Sequence, residues 1–325
     1  MLLGEENAGN DRPAVVFAGS GEFSADLLRE LARIGYLPAR TLTRRDRPAG
    51  RGRKLRPTPF KAAAVKLGME VVEADGPADP AFMEALEASR TEVLLVADYG
   101  FVLPRAILTY PSRGCVNIHP SLLPRHRGAT PIRRALMEGD SESGVSLMLM
   151  DEGLDTGPIV AMRAVNIEYQ DNELSLRTRL AAIGAELVMR FIPPWLSGEV
   201  EPRPQGEEGA SYASPIRPEE LLIDWALPAR VIHNRVRALA PRPGAYTYMR
   251  GKRLKVLRSE PCGAESRLAP GEVSLAEGGT PVVGTGEGAL RLLELKPEGK
   301  RSMLAEEFLR GYRPAEGEIL GLRPC

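Results

Sequence analysis

The feature that most constrains this chain is an alternation of short apolar runs with amphipathic segments across its N-terminal half. Residues 14 to 19 read Ala-Val-Val-Phe-Ala-Gly, which suits a strand buried on both faces. The next segment puts Phe23, Leu27, Leu28, Leu31 and Ile34 on one helical stripe that stops at Gly35. Further strand-like runs near 69 to 73, 92 to 97 and 114 to 119 are separated by helix-like segments near 59 to 67, 79 to 88 and 129 to 138. Short strands joined by helices predict an α/β fold with a mostly parallel sheet. In such a sheet, ligands gather beyond the strand C-termini.

The pattern then changes. A helix is expected from about 172 to 190, followed by a stretch dense in Pro and Gly that reads as a linker. Beyond it come short helices near 218 to 240 and brief strand-like runs around 245 to 250, 254 to 258, 271 to 275, 281 to 284 and 289 to 295. That is the pattern of a small β-rich domain, a barrel on this reading. The expected partition is a tail over 1–13, a sheet domain over 14–192, a linker over 193–217 and a second, smaller domain over 218–325. At 325 residues there is room for two cores.

The chemistry is concentrated between Val116 and Val160. In an extended Asn117-Ile118-His119, the amide and the imidazole leave the same face near a strand's C-terminal end. Such a pair suits a carbonyl oxygen that gains negative charge, with Asn as donor and protonated His as stabiliser or acid. Asp155, in Asp151-Glu152-Gly153-Leu154-Asp155-Thr156-Gly157, supplies a carboxylate that keeps an imidazole charged or takes up a proton. Asp151 and Asp155 both lie in a Gly-containing loop, where either one could serve an Asx turn instead.

Other chemistries lack their motifs. Gly19-Ser20-Gly21 follows the first strand as a dinucleotide fingerprint does, but Ser24 stands where the third Gly belongs. Three His with no helical pair, and three widely spaced Cys without a CxxC, exclude zinc-hydrolase and thiolate-metal patterns, so no metal is expected. Ser121 has no nucleophile elbow around it. His126 and His233 read as surface or loop residues in basic surroundings. The acidic N-terminus is unlike a secretory or transit peptide, and no apolar run approaches a bilayer span. A reducing cytoplasm fits the cysteine usage.

Charge is uneven on a chain of zero formal net charge. Arg40 to Lys61 holds nine basic residues against one acid, and Arg230 to Arg258 holds nine with none. Either run alone is a solvated face. Two of them, flanking the chemical core in sequence, point to a polyanion, and RNA is the expected partner.

Asn117-Ile118-His119-Pro120-Ser121-Leu122-Leu123-Pro124, joined to Gly144-Val145 and the Asp151 to Gly157 run, resembles the 10-formyltetrahydrofolate-dependent formyltransferases. The resemblance extends to Phe17-Ala18-Gly19, to the basic insert from Asp46 to Leu55 and to Arg237-Ala238-Leu239-Ala240-Pro241-Arg242-Pro243-Gly244-Ala245. The core motif is shared across the family, whereas the insert and second domain mark the members that act on charged tRNA. The resemblance implies catalytic roles for Asn117, His119 and Asp155, and a folate site at Ser121, Leu122, Leu123 and Pro124. It further implies tRNA contacts from Arg47, Arg51, Arg53, Lys54, Arg237 and Arg242. A Rossmann-like first domain, an OB-like second barrel, 10-formyltetrahydrofolate as donor, an aminoacylated initiator tRNA as partner and a monomeric state are also implied. The chain departs from the family pattern at Ser20-Gly21-Glu22, Asp98, Pro120 and His126. Sugar-nucleotide formyltransferases are the rival within the family. Outside it, the rival is an RNA-binding protein that has kept the scaffold without the catalysis.

Overall fold

The computed structural model describes residues 15–49, 54–263, 267–276 and 280–321. The first half runs β1 (Val15–Gly19), α1 (Glu22–Arg33), β2 (Arg40–Thr43), β3 (Arg47–Ala49), β4 (Lys54–Arg56), α2 (Pro59–Lys66), β5 (Val71–Glu73), α3 (Pro80–Ala88) and β6 (Val93–Ala97). It continues with α4 (Arg105–Leu108), β7 (Cys115–His119), β8 (Arg127–Gly128), α5 (Pro131–Glu138), β9 (Glu142–Leu149), β10 (Ile159–Asn166) and α6 (Glu173–Ser197). The second half holds β11 (Tyr212–Ala213), α7 (Ala229–Leu239), β12 (Ala245–Met249), β13 (Lys252–Cys262), β14 (Val273–Ala276), β15 (Thr280–Gly284), β16 (Ala289–Pro297), β17 (Met303–Leu304) and α8 (Ala305–Tyr312). The chain divides into two compact units: residues 1–119, 145–163 and 181–207 form one, and 120–144, 164–180 and 208–325 form the other.

The main sheet of the first unit has seven strands in the order β10-β9-β7-β6-β1-β2-β5. The pairs β1–β2, β1–β6, β2–β5 and β6–β7 are parallel, and β7–β9 is antiparallel. Strands β1, β6 and β7 are buried at every residue, as the continuous apolar runs require when both faces are covered. Helix α1 buries Phe23, Leu27, Leu28 and Leu31. Helices α2 and α3 start where Thr58 Oγ1 accepts from Lys61 N at 3.0 Å and Asp79 Oδ1 from Ala81 N at 3.1 Å, each with Pro at the first turn. The mostly parallel sheet is therefore as expected. Strands β9 and β10, which the apolar alternation did not single out, complete one edge.

The helix expected to end near 190 runs on to Ser197, with Pro193 and Pro194 inside it. Each proline removes one N–H donor. Burial of Ile192 and a hydrogen bond from Trp195 Nε1 to the Arg113 carbonyl at 3.0 Å hold the last turns in place. The basic insert is a hairpin rather than a plain loop: β3 and β4 pair antiparallel, Arg47 opposite Arg56 and Pro48 opposite Leu55.

In the second unit, the pairing runs β12-β13-β16-β15-β14, with β17 on β16. Neighbours are antiparallel, and among the described residues no pairing joins β12 to β14, so the path is open rather than a closed barrel. Arg250 (φ 50°) and Gly251 (φ 72°) make the two-residue turn between β12 and β13, where both positions need left-handed backbone. Trp225, Ile232, Val236, Leu239, Val256, Leu290, Leu295 and Phe308 belong to the core, and Trp225 Nε1 donates to Thr247 Oγ1 at 3.0 Å. Helix α8, unannounced by the strand-like runs, contributes Phe308 to this core.

Candidate active site

Strand β7 carries Asn117 and His119 to its C-terminal end, two residues apart and so on one face. Asn117 lies opposite Val96 of β6 and Met148 of β9, and His119 opposite Ser146. Both are buried, at 9% and 4% exposure. The chain comes back through β9 to a loop in which Asp155 adopts left-handed backbone, φ 53°. The Asp155 carboxylate addresses both side chains: Oδ1 accepts from Asn117 Nδ2 at 3.1 Å, and Oδ2 lies 3.6 Å from His119 Nδ1. The second distance exceeds hydrogen-bond length, so the carboxylate stands beside the ring without a direct bond to it.

The loop resolves which aspartate is the brace. Asp151 Oδ1 accepts from Gly153 N at 3.0 Å and from Thr156 Oγ1 at 2.8 Å, an Asx-type turn. Asp155 is left to face the imidazole. Gly157 packs so closely that a Cβ there would sit 1.8 Å from the Leu149 carbonyl oxygen. From outside the loop, Gln205 Nε2 donates to the carbonyls of Asp155 at 3.0 Å and Gly157 at 2.6 Å. Gln205 lies in the segment read as a linker, and a side chain whose short bonds go to backbone carbonyls leaves little residue pattern to find.

The chemistry available is that of a charge stabiliser. An amide nitrogen carries two N–H donors, so Asn117 can satisfy Asp155 with one and present the other to a developing oxyanion. His119, with a carboxylate at its side, is placed to be a proton donor or a cationic stabiliser. No serine or cysteine stands among the three, and the arrangement suits transfer of a group that arrives already activated.

The remaining expected residues fall elsewhere. Ser121 and Leu123 are buried in the second unit, where Ser121 Oγ donates to the Arg125 carbonyl at 2.7 Å, and Leu122 and Pro124 are half-buried. Arg47 is exposed on β3, Arg51 and Arg53 lie outside the described residues, and so does the Lys54 side chain. Arg242 is exposed, whereas Arg237 is half-buried, with Nε donating to Asn234 Oδ1 at 3.0 Å, and burial lowers its pKa.

The two other histidines are not surface residues. His126 is buried, its Nε2 lying 2.7 Å from Asp140 Oδ2. His233 is buried on the inner face of α7, near Ser259 Oγ at 3.3 Å and stacked on Tyr169. His126, Glu138 and Asp140 form a cluster of metal-ligand type, but Arg125 Nη2 already sits 2.7 Å from Asp140 Oδ1, so an internal cation neutralises that carboxylate. At the incomplete glycine fingerprint, Ser24 is buried with Oγ donating to the Gly21 carbonyl at 3.1 Å. A Cβ on Gly21 would meet Asp98 Oδ2 at 1.6 Å.

Residues 12–192 match the family model described as formyl transferase, and residues 215–313 match the formyl transferase C-terminal domain. The chain is 44% identical over 307 residues to the methionyl-tRNA formyltransferase of Myxococcus xanthus, covering 94% of this chain and 97% of that one. It is 43% identical over 304 residues to that of Aromatoleum aromaticum, covering 94% and 96%. The fold resembles the crystal structure of an N-formyltransferase from Helicobacter canadensis in complex with folinic acid and dTDP-3-aminofucose, with a TM-score of 0.63 at 17% identity over 86% of this chain and 98% of that one. A parallel sheet that ends in an amide, an imidazole and a carboxylate, on a chain so alike in sequence from end to end, belongs to the methionyl-tRNA formyltransferase family.

Proposed function

We propose that this chain transfers the formyl group of 10-formyltetrahydrofolate to the α-amine of methionyl initiator tRNA, giving formylmethionyl-tRNA and tetrahydrofolate. The observation that carries the reading is the division of the Asp155 carboxylate between the Asn117 amide and the His119 imidazole. The folate co-substrate supplies a formyl carbon already bonded to a leaving nitrogen, which fits a site whose groups hold charge and move a proton. As the neutral amine adds to that carbon, Asn117 and protonated His119 hold the charge on the formyl oxygen. Asp155 keeps His119 oriented and takes up the proton released from the attacking amine; the adduct then collapses with cleavage of the bond between the formyl carbon and N10, and that proton passes to N10 as tetrahydrofolate leaves.

The Ser121 to Pro124 loop is assigned to the folate, and the cationic segments to tRNA. The hairpin supports the second assignment: Arg47 and Arg56 stand directly opposite each other, a like-charge pair that is unfavourable until an anion lies between them. On this reading, 14–192 is a Rossmann-like catalytic domain, 193–217 a linker and 218–325 an OB-like domain that holds the tRNA, in a monomeric cytoplasmic enzyme. No described helix is long and apolar enough to cross a membrane.

The test is formyl transfer from 10-formyltetrahydrofolate to charged initiator tRNA, run beside a nucleotide-linked amino sugar. Turnover with the tRNA alone is the expected outcome, and preference for the sugar sinks the proposal. In single-turnover assays, His119→Ala and Asn117→Ala should each lose roughly 100-fold or more in rate.

A further inference from the structure

We infer that Gln205 is a positioning residue for the reaction, acting through Asp155 without touching substrate. This rests on the catalytic reading of Asp155. The Nε2 atom donates to the carbonyls of Asp155 and Gly157 at 3.0 and 2.6 Å, so one amide group brackets Thr156 and fixes the peptide on the C-terminal side of the carboxylate. An amide nitrogen has two hydrogens; the two carbonyls take the short contacts, and Met148 Sδ lies farther off at 3.9 Å. Asp155 needs such a hold because its backbone is left-handed, a conformation that a non-glycine residue keeps only when its surroundings impose it.

Gln205 is itself fixed. Two residues before it, Arg203 exchanges both backbone hydrogen bonds with Ile159, at 2.7 and 2.8 Å, which ties the segment to the first residue of β10. The clamp and the loop it grips are thus anchored on the same strand. Asp151 braces the loop from within, whereas Gln205 sets where its far end, with the Asp155 side chain, is held relative to β7.

The experiment is a double-mutant cycle on the full-length enzyme, read by single-turnover formyl transfer to charged initiator tRNA. Gln205→Ala and the isosteric Gln205→Glu should each lower the rate at saturation about tenfold, the effect of losing hydrogen bonds that place a catalytic group. KM for both substrates should stay within about twofold, since neither substrate meets this side chain. In an Asp155→Ala background, Gln205→Ala should lower the rate no further, because a residue that acts through Asp155 has nothing left to position. Multiplicative losses in that background overturn the inference, as does a normal rate in both single variants. Should either Gln205 variant be poorly folded, the other supplies that arm of the cycle, with Gln205→Met in reserve. A normal rate in Asp155→Ala alone refutes the catalytic reading instead, so the two failures are distinguishable.

Discussion

His119 and His233 are both buried histidines next to polar groups, yet they sit in opposite electrostatic settings. His119 ends a parallel strand with a carboxylate oxygen 3.6 Å from its ring. His233 lies on α7 beside a serine hydroxyl, and burial foremost, with the neighbouring Arg237 and Arg230 adding to it, pushes its pKa down to about 4. Burial disfavours a charged imidazole, and a neighbouring anion is what offsets that penalty. The contrast between these two rings lies in the sign of what faces them, a carboxylate at His119 and two arginines at His233, and not in their depth.

The strongest way to break the contrast is to remove the anion. Asp155→Ala should lower single-turnover formyl transfer by at least about 100-fold while leaving the fold intact, which circular dichroism would verify. Retention of more than a tenth of the rate would put His119 on the same footing as His233. Next in size is Asp151→Ala, which loosens the loop but spares the carboxylate at the ring; about a tenfold loss in rate is expected, with the pH profile unchanged in shape. A smaller effect is expected at the hairpin: Arg47→Glu should weaken tRNA binding and reduce the slope of log affinity against log salt by about one or two, with folate affinity unaltered.

The smallest effect on rate belongs to His233→Gln, which should stay within about twofold of the parent. Its signature is in stability instead. The folded-state pKa lies below the usual 6.5, so the unfolded chain takes up a proton first as pH falls. The folded state keeps its full advantage above pH 6.5 and loses it between 6.5 and about 4. Thermal melts across that window should show a shallower decline in the variant, and identical slopes would mean that His233 titrates normally.

The fold was legible where residue pattern and burial coincide. Every residue of β1, β6 and β7 is buried, so apolar runs marked them. The end of α6 was not legible, because two prolines are a local argument for stopping and the Trp195 bond that overrides it is a tertiary one. Strands β9 and β10 were hidden by the polar motif between them. Within the site, Asn117, His119 and Asp155 stood out as side chains capable of chemistry, and the hydrogen bonds of the loop separate Asp155 from Asp151. Gln205 acts on the loop through main-chain oxygens, and no residue type announces that role.

The aspartate pressed against Gly21 decides what the first strand-to-helix turn can accept. Gly21 caps α1 with no side chain of its own, so the positive pole of that helix would ordinarily welcome a pyrophosphate. Asp98, itself held in left-handed backbone at the tip of β6, has brought a resident anion to that spot. A nucleotide arriving there meets an occupied seat and a repelling charge, and the sheet keeps the outline of a dinucleotide binder while refusing its guest.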